Sequence, residues 1–315
     1  MLGPMGLRRA DLVHLALMLA SLAMAYVLPF ELLLLAYIVL GPAHYYTEIS
    51  WLHDRSYFMP TRAFAAVLAV AALAGMFMAT PWWSGVLLWC CFAGAAIAAL
   101  GLPLRRTVML GTVAAAATLL AALAGAPFAF IGIMLPTLIH VSIFTLIFMT
   151  LGAMRSGSRF QWGLIGAYFA AVAAILIVPP STATVIPVFA KLGRDYFGDI
   201  APALGALFGR PGLPFAGRVT GLLSFVYTYH YLNWFIKADV IRWTRMPRPR
   251  LALVAGLSVV STAFCFYDYA LGITVLLLVS LLHVLLEFPL NTVAIRDLTG
   301  LVLGRSSRPA ARAGA

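Results

Sequence analysis

Stretches of about 20 predominantly apolar residues follow one another along the chain, at roughly 11–29, 31–48, 63–81, 83–101, 107–125, 128–151, 161–180, 217–237, 251–268 and 271–293. A helix rising 1.5 Å per residue needs about 20 such residues to cross the hydrocarbon of a bilayer. Composition agrees, since 63% of the 315 residues are hydrophobic and only 10% are charged, too few polar side chains to cover a soluble surface. The expected fold is all-α: a polytopic integral-membrane bundle of about ten transmembrane helices, forming a single transmembrane domain over 1–315. The first run opens after Leu7-Arg8-Arg9 and passes through a very short turn into the second, which predicts insertion without a cleaved signal.

Charge orients the bundle. Lys and Arg outnumber Asp and Glu by 21 to 10, for a net charge of +11. In a membrane chain such an excess marks cytoplasmic loops rather than a nucleic-acid partner. Arg8 and Arg9 precede the first run, Arg55 and Arg62 follow the second, Arg105 and Arg106 the fourth, Arg155 and Arg159 the sixth, and Lys237 to Arg250 the eighth. Arg296 to Arg312 follow the tenth, whereas the alternate connections near Phe30, Pro81, Gly125 and Asp268 hold no Lys or Arg. Both termini are therefore expected in the cytoplasm, in a membrane of the bacterial inner (plasma) type. The long connection 181–216, rich in Pro and Gly, lies on the other side and is expected to hold an interfacial helix acting as a structural lid.

Cysteine contributes no chemistry to this reading. Cys90 and Cys91 are adjacent and Cys265 is remote, so no metal-binding or redox spacing arises and all three read as packing residues.

Ionisable side chains are costly inside a bilayer and default to a functional role. Glu occurs only at 31, 48 and 287, and two of the three stand four residues after a histidine: His44 with Glu48, and His283 with Glu287. Residues i and i+4 share a helix face, so each pair aims an imidazole and a carboxylate at one point. Counted from the basic ends at 1.5 Å per residue, His44 and Glu48 fall near the inner interface, His230 roughly 10 Å in, His283 roughly 15 Å in, and His140 near the middle. Four histidines from separate helices thus converge on the inner half of the membrane.

The stretch WLHDR after the second run places His53 and Asp54 over the mouth of the same pocket, His53 as a further candidate ligand and Asp54 as a supporting group. Around His230, SFVYTYHYLNWFIK supplies Tyr229 and Asn233 as supporting groups, and Asn291 lies one turn beyond Glu287. Pro136 and Pro289 free helix carbonyls near His140 and Glu287. The candidate metal ligands are His44, Glu48, His53, His140, His230, His283 and Glu287, with Glu48 and Glu287 also able to relay protons. Neutral imidazoles with one to three carboxylates suit one or two non-haem iron ions, or zinc as the alternative.

Three functions fit this donor set. The first is a non-haem iron oxygenase, hydroxylase or desaturase acting on a lipophilic substrate, a carotenoid, isoprenoid or acyl lipid entering from the bilayer. The second is a zinc-dependent lipid hydrolase, although HExxH, GxSxG and HxxxH motifs are absent. The third is a transporter, or a haem- or quinone-binding membrane protein with His140 and His283 as a facing pair. On the residues GPAHYYTE around His44, YTYHY around His230 and LLHVLLE around His283, the chain resembles the Brp/Blh family of β-carotene dioxygenases, polytopic proteins in which histidine-held iron cleaves a carotenoid. Tyr45 and Tyr46 stand where that family has a histidine-glycine segment followed by aspartate. The resemblance implies iron, dioxygen and a carotenoid-like substrate. The histidine boxes of soluble-facing fatty-acid desaturases are absent.

Overall fold

The computed structural model describes residues 4–78, 81–124, 136–192, 195, 213–236 and 246–304. Among them every regular element is helical and none is a strand. The chain divides into two compact units, Met1–His44 with Arg155–Pro247, and Tyr45–Met154 with Arg248–Ala315.

The first unit contains α1 (Pro4–Val27), α2 (Pro29–Leu35), α8 (Arg159–Ile177), α9 (Pro187–Leu192) and α10 (Leu213–Ile236). α2 runs through a π-helical turn, Ala36–Leu40, into α3 (Gly41–His53), and the unit boundary falls within α3. The π turn has a local cause. Pro42 has no N–H to return to the Ile38 carbonyl, and the Gly41 N–H reaches back five residues to Ala36. α10 packs on α1, α2 and α8, and α1 on α8. Gly217 and Gly221 bring α10 so close to Pro180 that a Cβ at either position would collide with it. In the loop 181–186, the N–H groups of Val185 and Ile186 donate to the buried Glu31 carboxylate at 2.6 and 3.2 Å.

The second unit holds the rest of α3, α4 (Arg62–Met76), α5 (Pro81–Ala99), α6 (Leu104–Leu123), α7 (Thr145–Ser156), α11 (Arg248–Tyr267) and α12 (Tyr269–Val302). A second π-helical segment, Ile139–Phe144, leads into α7. Here the Ser142 hydroxyl donates to the Leu138 carbonyl and that of Thr145 to Val141, competing with the backbone ladder. α12 is the spine and packs against α4, α5 and α11. Its apolar flank, Leu281, Val284, Leu285 and Leu286, joins Leu88, Phe92 and Leu52 in the core. Phe288 lies edge-on to Phe92 at 5.1 Å and to Phe144 at 5.9 Å. The Asp268 side chain caps α12 by accepting from the Leu271 N–H.

Among the described residues, seven helical segments are long and apolar enough to cross a membrane: Ala10–Val27, Pro29–His53, Leu104–Leu123, Pro136–Ser156, Arg159–Ile177, Arg248–Tyr267 and Tyr269–Val302. Arg62–Met76 and Trp83–Ala99 are shorter apolar helices. Their outward faces are hydrophobic: on α6, Leu104, Val108, Met109, Val113, Leu120 and Leu123 are all more than half exposed. A surface of that kind belongs against lipid tails rather than water.

Two helices outrun their expected ends. The second span continues past 48 to His53, and the last runs from Tyr269 to Val302 instead of stopping at 293. Pro289 removes one backbone donor without ending α12, as membrane helices tolerate. The start of the run at 128–151, the basic segment 237–245, and residues 196–212 of the long connection lie outside the described residues. So do the last residues, 305–315. The described part of the connection includes the short exposed α9.

Candidate metal centre

In the second unit, Glu48 of α3, His140 of the π segment before α7 and His283 of α12 are all buried, and each places one ligand atom within 4.8 Å of the others. The Nε2 atoms of His140 and His283 stand 3.3 Å apart, with the rings edge to face at 82°. Two nitrogens bound cis to one ion at roughly 2.0–2.1 Å lie about 2.8–3.4 Å apart, so this separation suits shared ligation. It also suits an N–H···N hydrogen bond between opposite tautomers. The carboxylate brought up by Glu48 distinguishes a ligand group from a lone histidine pair.

Glu287 occupies a different position in that arrangement. Its Oε2 lies 2.6 Å from His140 Nδ1, on the side of the ring away from His283. A carboxylate beside Nδ1 favours the tautomer that carries its proton there and leaves Nε2 free to ligate. The sequence spacing associates Glu287 with His283, four residues earlier on the same helix, whereas the structure places its carboxylate on His140. Tyr45 stacks on the His283 ring at 4.3 Å and 26°. Both side chains are therefore fixed, His140 by a carboxylate and His283 by an aromatic face.

The first unit contains a second histidine pair. His44 and His230 bring their Nε2 atoms to 3.2 Å with rings at 81°, nearly the geometry of the other pair. Tyr231 and Trp234 pack around His44 at 5.1 and 5.3 Å. His44 lies one turn before Glu48 on α3 and shares its helix face. Both π-helical turns adjoin these histidines, one ending just before His44 and the other containing His140. Such widened turns recur at functional sites because they rotate the following side chains out of the regular 3.6-residue phase.

The remaining candidates have surroundings of their own. His53 is partly exposed at the end of α3, with Nδ1 3.2 Å from the Tyr57 hydroxyl, and is not gathered into the His/Glu group. Asp54 forms a bidentate surface ion pair with Arg250 at 2.7 and 2.8 Å. Tyr229 is fully buried in an aromatic stack with Phe225 and Tyr168. Asn233 is buried on α10, and Asn291 is buried on α12 one turn after Glu287. Sequence reasoning missed Tyr45, for which the only available signal was its position beside His44. It also left Glu31 without a role, although a glutamate without a histidine partner at the start of an apolar run is itself a signal for a backbone anchor.

The known proteins add no analogy to this geometry: no family model, curated protein or solved structure matches the chain.

Proposed function

We propose that the chain is a membrane-embedded metalloenzyme that holds non-haem iron, one or two ions, and uses dioxygen to oxidise a lipophilic substrate. The observation that carries this reading is the buried trio His140, His283 and Glu48. Two imidazoles and one carboxylate are the donor set of non-haem iron oxygenases, which leave further coordination positions open. Iron held there would supply dioxygen activation. The chain's own residues would orient the ligands through Glu287 and Tyr45 and exclude water by burial. They would also present a reactive centre to molecules dissolved in the bilayer. The resemblance to carotenoid dioxygenases favours a carotenoid or other isoprenoid substrate. A topology of about ten spans with both termini in the cytoplasm, in a bacterial-type inner membrane, accompanies the proposal.

Zinc is the second reading, since two His and one Glu also make a catalytic zinc site, with hydrolysis in place of oxidation. A haem bridged by His140 and His283 is disfavoured, because axial nitrogens on opposite sides of one iron stand about 4 Å apart, twice a metal–nitrogen bond of roughly 2 Å. The separation here is 3.3 Å. The test is elemental analysis of the detergent-purified protein together with its visible spectrum. Iron at about one or two equivalents without a Soret band supports the oxygenase. Zinc moves the function to hydrolysis, a Soret band indicates haem, and no metal after reconstitution overturns the proposal.

A further inference from the structure

α12 carries a polar stripe along one buried face. Ser280, His283, Glu287 and Asn291 stand at intervals of three, four and four residues, and all four are buried. That spacing keeps them in line along a stretch of about 16 Å. The hydroxyls of Thr274, Thr292 and Thr299 on the same helix are satisfied locally, donating to the carbonyls of Ala270, Phe288 and Ile295. Asn291 differs from them. It is 0% exposed, and neither its amide nitrogen nor its oxygen has a hydrogen-bond partner among the described residues.

A buried carboxamide presents two donors and one acceptor, and leaving them unpaired is unfavourable in an apolar surrounding. The group that satisfies both functions at once is one that donates and accepts through a single oxygen. We infer that Asn291 is the polar anchor for the hydroxyl group of a lipophilic ligand, held one helical turn from Glu287. The inference rests on the proposed metal centre for the claim that this ligand lies beside a reactive site, and it narrows the ligand class from hydrocarbons to lipophilic alcohols. A pure hydrocarbon offers Asn291 nothing, and an ether only an acceptor.

The experiment uses the full chain in lipid nanodiscs, with radiolabelled dodecanol, its methyl ether and dodecane as probes, and empty nanodiscs to subtract partition into lipid. Metal content is measured on the same samples. The expected result is that the wild type retains dodecanol about tenfold better than dodecane, the value of one net hydrogen bond to a buried partner, with the ether between them. Asn291→Leu, which keeps the side-chain shape, then loses the preference while keeping dodecane binding and metal content. Asn291→Ala, which leaves space instead of a branched side chain, gives the same loss and guards against a packing fault in the leucine variant. Equal binding of alcohol and alkane by the wild type, as expected if Asn291 only holds water, overturns the inference. So does an alcohol preference that survives in both variants, or loss of metal in them, which would make Asn291 part of the metal shell. Alcohol preference that depends on Asn291 in a protein containing no metal would sustain the anchor and refute the metal centre.

Discussion

Replacing Glu287 with glutamine changes one charge and almost no volume, and the structure fixes what that change does. The carboxylate lies 2.6 Å from His140 Nδ1, and both side chains are at most 5% exposed. Removing the charge withdraws the acceptor that holds the Nδ1–H tautomer, so His140 Nε2 becomes a weaker and less well oriented ligand. Loss of such a supporting partner typically weakens metal binding 10–100-fold, or about 1.4–2.7 kcal/mol. Glutamine still offers an amide oxygen to Nδ1–H, which places Glu287→Gln near the tenfold end, and Glu287→Leu, with no acceptor, near the hundredfold end. The assay is competition for the bound metal by a chelator of known affinity in detergent solution, with full loading at saturating metal as the control for folding. Affinity within twofold of wild type in both variants would refute the reasoning. Loss of binding even at saturating metal would mean that Glu287 is a ligand itself.

The same contacts determine the outcome of other substitutions. His140→Ala and His283→Ala should each reduce retained metal at least about tenfold, the loss expected for removing a ligand outright, while His53→Ala should leave it unchanged, as elemental analysis of the three variants will show. Glu31→Ala strips the acceptor from the N–H groups of Val185 and Ile186 and should cost about 2 kcal/mol. The change would appear as faster hydrogen exchange confined to 181–186, and unchanged exchange there would count against the anchor. Gly272→Val forces a side chain into the Cys265 backbone where α11 meets α12, and should destabilise by about 1–3 kcal/mol in a thermal melt of the solubilised protein.

Much of the fold was legible because lipid imposes a simple rule: each apolar run long enough to cross has to satisfy its backbone internally, and helices do so. Helix ends were less legible. Pro289 signals a break in water, yet α12 passes through it to Val302. For the site, the spacing His44–Glu48 identifies the face of α3 that carries the polar groups, because i and i+4 geometry is fixed by the helix itself. The pairing of Glu287 with His140, two segments about 147 positions apart in sequence, is a tertiary contact that no local spacing encodes. The π turns at 36–40 and 139–144 shift the helical phase of the residues after them, which regular periodicity cannot anticipate, although Pro42 is the visible cause of the first. His53 and Asp54 were read from their place in the sequence alone. Their proximity to Glu48 in sequence suggested a shared pocket, but the end of α3 carries His53 to Tyr57, and Asp54 pairs with Arg250 at the surface.

X-ray absorption spectroscopy of the purified, metal-loaded protein tests the central claim most directly, because imidazole ligands leave a distinctive outer-shell scattering pattern. The account predicts an iron edge with nitrogen and oxygen neighbours only, at least two imidazoles per ion in the wild type, and at least one fewer in His283→Ala. A first shell without imidazole, or one containing sulfur from Cys90, Cys91 or Cys265, would contradict it.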